Sequence, residues 1–279
     1  MKRVLTIQDI SCLGKCSTTI ALPVISAMGV ETVILPTALL STHTMFRNFT
    51  WKDLTDQIRP ITEHWQKEGI RFDAVYTGYL GTIEQIRMME ELFVSFRTPD
   101  TSIIVDPVMG DNGRLYTGFD EAYAAKNAEL CGFADIIVPN ITEAAIMTGM
   151  PYREVYEEGY IRELLQKLAA LGPKIAVLTG VSLSPGKTGV MGLDTSSGEY
   201  FLYQNRKIDI NYHGTGDLFS ATCVGGMMRG LSWQKAMQLA ADYTAYTIEV
   251  TRNNSTSSRY GVDFEETIPK LISDLKEYC

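Results

Sequence analysis

No apolar run in this chain is long enough to span a bilayer, and none of its cysteines stands in paired C-x-x-C spacing. The first absence predicts no helical membrane anchor. The cysteines, Cys12, Cys16, Cys131, Cys223 and Cys279, are odd in number and scattered, which predicts free thiols in a reducing compartment and hence a cytoplasmic protein. Cys12 and Cys16 lack the nearby histidine or second cysteine pair that a zinc site requires. An excess of basic charge is missing too. With 25 Lys and Arg against 33 Asp and Glu, the net charge of −8 has the wrong sign for holding nucleic acid through its phosphates. An anionic ligand therefore needs a local site. The opening MKRVLTIQDI carries two positive charges, but its short apolar run stops at Asp9, so it reads as a strand rather than a signal peptide.

The usual nucleotide fingerprints are also lacking. No G-x-G-x-x-G follows the first strand, which argues against a dinucleotide oxidoreductase. GVSLSPGKT (180–188) comes near a Walker A loop but has five residues between Gly180 and Gly186 where four are needed, and a strand pattern follows it instead of a helix. There is no linker, low-complexity segment or internal repeat, so residues 1–279 read as a single domain.

What is present is enough apolar sequence for a large core: 45% of the 279 residues are hydrophobic and 21% charged. Short β-rich runs at 3–9, 32–37, 73–80, 101–108, 135–140 and 174–180 alternate with helical patterns at 51–68, 83–97 and 155–171. Thr50 is the expected cap of the first of these helices, and Gly172-Pro173 ends the last. Oily strands alternating with helices predict a three-layer α/β/α fold around a mostly parallel sheet. After residue 187 the rhythm changes: 188–194 and 199–206, separated by TSSG, predict an antiparallel hairpin at the edge, and helices resume at 217–229, 233–252 and 264–278.

In such sheets ligands bind outside the carboxyl ends of the strands. The strand ends here are Gln8-Asp9, Thr37, Thr77-Gly78-Tyr79, Asp106-Pro107, Pro139-Asn140 and Thr179-Gly180. The loop Gly214-Thr215-Gly216-Asp217 opens an apolar helix, whose unpaired N–H groups and positive dipole end make the loop a candidate anion hole. Asp217 either caps that helix or takes a proton from a substrate hydroxyl as it attacks a phosphoryl group. Asp106 in DPVMGD and Glu143 in PNITEA are the carboxylates suited to Mg²⁺, although Glu143 would also favour the first turn of its own helix.

GYLG (78–81), DPVMGD (106–111), PNxxE (139–143) and GTGD (214–217), in that order and at strand ends, resemble the ribokinase superfamily. With STHT (41–44), they resemble its pyridoxal kinase branch over nearly the whole chain. The resemblance implies a ribokinase-like sandwich that phosphorylates the 5′-hydroxymethyl group of a B6 vitamer with ATP. Asp217 is then the general base, with Gly214, Thr215 and Gly216 forming the anion hole. Asn140 and Glu143 organise Mg²⁺ and the ATP phosphates with help from Asp106 and Asp111, and Thr179 and Gly180 reach the nucleotide. Tyr79 sits against the pyridine ring and Thr44 near its polar substituents. A homodimer and a monovalent cation such as K⁺ are further implications.

Each residue also has a plainer reading: Tyr79 as a half-buried strand-end aromatic, Thr44 as a turn residue, His43 as a surface or core histidine. The first strand departs from the branch's Gln-Ser, having Gln8-Asp9, and Ala38 and Leu40 are smaller or less aromatic than expected in the vitamin pocket. An aspartate there suits a cationic aminomethyl group or ring nitrogen and predicts a preference for pyridoxamine. A hydroxymethylpyrimidine kinase is the enzymatic alternative, although SCLGKCS (11–17) lacks its glycine-rich first loop. A catalytically silent B6 binder is the alternative of another class, and a sugar kinase lacks enough polar residues near the first strand.

Overall fold

The computed structural model describes residues 1–258 and 260–278. Their backbone groups into two compact units, residues 1–76 with 205–279 and residues 77–204. The chain begins in the first unit with β1 (Arg3–Ser11), α1 (Thr18–Ala27), β2 (Glu31–Leu40), β3 (Trp51–Asp53), α2 (Thr55–Lys67) and β4 (Ala74–Thr77). The second unit carries α3 (Ile83–Phe96), β5 (Ser102–Val105), β6 (Gly110–Asp111), β7 (Arg114–Leu115), α4 (Glu121–Cys131), β8 (Ile136–Ile137), α5 (Ile141–Thr148), α6 (Glu158–Ala169), β9 (Ile175–Val181), β10 (Lys187–Asp194) and β11 (Tyr200–Arg206). The chain then returns to the first unit with α7 (Thr215–Met228), α8 (Trp233–Asn253) and α9 (Phe264–Tyr278).

In the first unit the strand order is β4-β1-β2-β3. β1 and β2 run parallel from Arg3 opposite Glu31 to Gln8 opposite Pro36, and the register slips between Gln8 and Ile10. That slip flanks Asp9, where the ladder is re-aimed as bulges re-aim strands at functional edges. Val4, Leu5 and Ile7 of β1 are wholly buried. Behind them α1 packs on α7, and Gly225 of α7 is what permits the approach: a Cβ there would lie 2.3 Å from the Met28 sulfur.

The second unit orders its strands β11-β10-β9-β8-β5, with β5, β8 and β9 parallel and β10 antiparallel to β9. Asp194 N–H closes the β10–β11 hairpin on the Glu199 carbonyl. The expected fold class, a mostly parallel sheet flanked by helices with an antiparallel edge hairpin, is the one observed.

Two local expectations fail. Thr50 caps nothing: Trp51–Asp53 pairs antiparallel with Ala38–Leu40 of β2, and α2 starts after Leu54 without a side-chain cap. Asp217 is not a cap either. Gly214, left-handed at φ 79°, holds the N-cap position of α7, and Asp217 is the third helical residue with its carboxylate turned elsewhere. Cys12, Cys16, Cys131 and Cys223 are free thiols, while Cys279 lies outside the described residues. No helix among the described residues is long and apolar enough to cross a membrane.

Candidate active site

In the first unit the Gly214–Asp217 turn meets the loop that follows β1. A Cβ on Gly214 would lie 2.0 Å from the Lys15 carbonyl oxygen and 2.8 Å from Ile20, so both the positive φ and the crowding demand glycine. Gly216 is different, because a Cβ there would meet nothing within 4 Å. Open space thus lies beside the first turn of α7, where N–H groups have no helical acceptor and the dipole is positive. Thr215 donates its hydroxyl to the Tyr212 carbonyl at 3.2 Å, which ties the turn to the segment before it.

Asp217 is half-buried, with the Ser17 backbone N–H near its carboxylate. Burial chiefly, and then the charge of Asp9, push its carboxyl up to about 6 against the nearby Ser17 N–H that lowers it. Asp9 is 5% exposed, accepts the Ser11 hydroxyl at 3.2 Å, and is itself raised by burial. Cys16 lies buried beside both acids, and its thiol is pushed up by burial and by their charge, so it stays neutral. Lys15 turns away from these groups and bridges Asp263 and Glu265, each at 2.9 Å.

The loop is also pinned to residues 40–43, with Cys12 N–H on the Leu40 carbonyl and His43 N–H on the Leu13 carbonyl, both at 2.8 Å. The His43 ring lies 4.5 Å from that of His213, and its Nδ1 accepts the Met45 N–H. Burial, with His213 adding to it, lowers His43 to about 4, so it is neutral at physiological pH. Thr44 beside it is exposed.

In the second unit the PNxxE motif folds as a capping box on α5. Asn140 Oδ1 accepts the Glu143 N–H at 2.9 Å, and Glu143 Oε2 accepts the Asn140 N–H at 2.8 Å. Glu143 Oε1 takes the Met109 N–H at 3.0 Å, and Asn140 Nδ2 donates to the Gly110 carbonyl at 2.9 Å. The plain helix-start role of Glu143 is thus present in full. Glu143 and Asp106 are 3% and 8% exposed, and burial followed by the Asp106 charge raises the Glu143 carboxyl. A like-charged buried pair with hard oxygen donors fits a small divalent cation, which one or two carboxylates hold while phosphates and water complete its shell. Among the described residues no group of three or more His, Cys, Asp or Glu forms a metal cluster.

Thr179 bridges to Asn140 in parallel register, and Gly180 follows it at φ 73°. Asp111 is exposed and engages its neighbour, accepting the Asn112 N–H at 2.8 Å. Tyr79 is half-buried, 5.7 Å from the ring of Phe119, which stacks on Tyr123 at 3.8 Å. The first unit therefore gathers Asp9, Gly214, Thr215, Gly216 and Asp217, with Thr44 on the neighbouring loop; the second gathers Asp106, Asn140, Glu143, Thr179 and Gly180. Sequence reasoning passed over Ser17 and weighed Cys16 only as a metal ligand. The one available signal was SCLGKCS itself, a polar loop at the carboxyl end of a buried first strand.

Residues 22–262 match the family model described as phosphomethylpyrimidine kinase. A Bacteroides thetaiotaomicron protein crystallised with pyridoxal is 35% identical, with a TM-score of 0.92 over 97% of this chain and 95% of that one. The pyridoxal kinase of Lactobacillus plantarum is 30% identical, with a TM-score of 0.90 over 100% and 99% of the two chains. The pyridoxine/pyridoxal/pyridoxamine kinase of Bordetella avium is 27% identical over 89% of this chain and 85% of its own. The chain therefore belongs to the phosphomethylpyrimidine kinase family and, within that ribokinase-like group, to its pyridoxal kinases.

Proposed function

We infer that the protein is an ATP-dependent kinase that phosphorylates the 5′-hydroxymethyl group of a B6 vitamer. The observation that carries this reading is the Asp217 carboxylate on the first turn of α7, with its pKa near 6 and open space at Gly216 beside it. A base of that pKa is largely ionised at neutral pH yet still basic enough to accept a proton. In the proposed step Asp217 takes the hydroxyl proton as the substrate oxygen bonds to the γ-phosphorus of ATP, and the bond to ADP breaks. The N–H groups of Gly214, Thr215 and Gly216 stabilise the transferring group.

Asp106 and Glu143 would hold Mg²⁺, which supplies charge neutralisation at the phosphates; Asn140, Asp111, Thr179 and Gly180 would orient the nucleotide. Tyr79 would lie against the pyridine ring, and Asp9 and Thr44 near its polar substituents. K⁺ as a further cofactor, a homodimer and a cytoplasmic location complete the proposal. The dimer is supported by Trp51, 63% exposed on edge strand β3. The charge of −8 supports a small-molecule partner in place of nucleic acid.

Coupled ATP consumption with Mg²⁺ against pyridoxal, pyridoxamine, pyridoxine and hydroxymethylpyrimidine tests the function. Turnover of a vitamer supports it. Turnover of the pyrimidine alone would move the chain to the activity for which its family is described, and binding without turnover would make it a silent B6 binder. The buried negative charge of Asp9 further predicts that Asp9→Ser lowers the kcat/KM ratio of pyridoxamine to pyridoxal, and an unchanged ratio would remove Asp9 from vitamer choice.

A further inference from the structure

The ladder between β9 and β10 is interrupted at Gly180. Gly189 of β10 faces Val181 and Val190 faces Thr179, so Gly180 is an extra residue in β9, a bulge, and its φ of 73° is one that glycine adopts without strain. Hydrogen bonds from outside the ladder close around it. The Tyr156 hydroxyl accepts the Ser182 N–H at 3.0 Å and donates to the Gly180 carbonyl at 3.4 Å, so one oxygen spans the bulge. From β11, Gln204 Nε2 donates to the Val181 carbonyl at 2.9 Å. Thr179, on the other side of Gly180, donates its N–H to the Pro139 carbonyl at 3.0 Å and keeps register with Asn140.

Tyr156 belongs to the loop at 149–157 between α5 and α6, and that loop is fixed at other points. Tyr160 donates its hydroxyl to the Pro151 carbonyl at 2.9 Å, and the Tyr152 ring lies so near Gly113 that a Cβ there would approach it to 2.6 Å. The Tyr156 ring lies 5.9 Å from that of Tyr160, a contact that phenylalanine would make equally well. Packing therefore accounts for the ring, and the bulge accounts for the hydroxyl. Gly180 itself is exposed, and a Cβ on it would meet nothing within 4 Å. Hydrogen bonds, not packed side chains, hold the bulge in shape.

We propose that Tyr156 is a positioning residue for nucleotide binding, whose hydroxyl holds the Gly180 bulge in the shape that presents Thr179 and Gly180 to the nucleotide. This deepens the kinase reading and rests on it for the role of those two residues. A glycine in an interrupted ladder has many conformations open to it once the outside bonds are gone. The nucleotide would then have to order the bulge as it binds, which weakens affinity without touching the proton transfer.

The test is calorimetric titration of the full chain with ADP and Mg²⁺, beside steady-state kinetics with ATP and a B6 vitamer. Tyr156→Phe removes one oxygen and keeps the ring. It should weaken ADP binding and raise KM for ATP about three- to tenfold, the scale of one lost hydrogen bond, with kcat and the vitamer KM held within about twofold. Amide hydrogen exchange at Ser182 should quicken in the same variant. Tyr160→Phe is the matched control: it loses its bond to Pro151 in the same loop and should lower the melting temperature without moving KM for ATP. Unchanged ADP binding in Tyr156→Phe, with only a lower melting temperature, would make the hydroxyl merely structural. The same rise in KM in both variants would credit the loop as a whole, and unchanged exchange at Ser182 would show that the bulge does not depend on Tyr156. A wild type that binds ADP but turns over no vitamer would end the kinase reading alone, with the ADP titration still deciding the role of Tyr156; a wild type that binds no nucleotide would overturn both.

Discussion

Asp217 combines burial, a like-charged neighbour and one compensating N–H, and its value near 6 follows from the first two outweighing the third. A base must be ionised to act, so kcat/KM should be flat above about 6 and fall about tenfold per pH unit below it. Asp217→Asn should lower kcat by about 10²–10⁴-fold while leaving ATP binding intact, measured by coupled assay and by nucleotide titration. Binding lost along with turnover would mean that the residue holds ligand instead of moving a proton. The aspartate was legible in GTGD because two glycines before an acid at a helix start are an unusual expense of chain entropy. The backbone of Ser17 was not legible: a positive φ on a serine leaves no mark in composition or periodicity.

At the scale of elements, the long amphipathic helices α3, α8 and α9, the apolar α7 behind its glycine turn and the oily strands could be read directly, while α1, α4, the short β6–β7 ladder and the Trp51–Asp53 strand could not. α1 is apolar on nearly every side and holds Pro23, so it lacks the polar stripe that marks a surface helix. The Trp51–Asp53 strand was read as helix because Thr50 mimics a cap, and nothing local shows that β2 offers an edge there. Capping gives a prediction that separates fold from chemistry. Thr82 accepts the Gln85 N–H at the start of α3 as Asn140 accepts that of Glu143 on α5, so Thr82→Ala and Asn140→Ala should each cost about 1 kcal/mol in urea unfolding. Only Asn140→Ala should also raise KM for ATP. Equal KM values would confine Asn140 to the capping box.

For the whole molecule, the raised carboxyls tie stability to pH. Asp217 has an ordinary value of 3.8 and a folded value of about 6, so its contribution to stability is whole below 3.8 and is lost as pH rises through about 6. Asp217→Asn should therefore melt above the wild type at pH 8, with the gain shrinking toward pH 4, while activity is lost. A variant that melts lower at pH 8 would show that the polar surroundings of Asp217 outweigh its burial. The crowding around Gly214 and the open space around Gly216 carry this separation into genetics. In a saturating substitution library scored once for cellular abundance and once for turnover, every change at 214 should deplete abundance. Changes at 216 should keep abundance and lose turnover as the side chain grows, and changes at 217 should keep abundance and erase turnover. A map of inherited variants would then show the boundary between instability and inactivity falling inside a single helical turn.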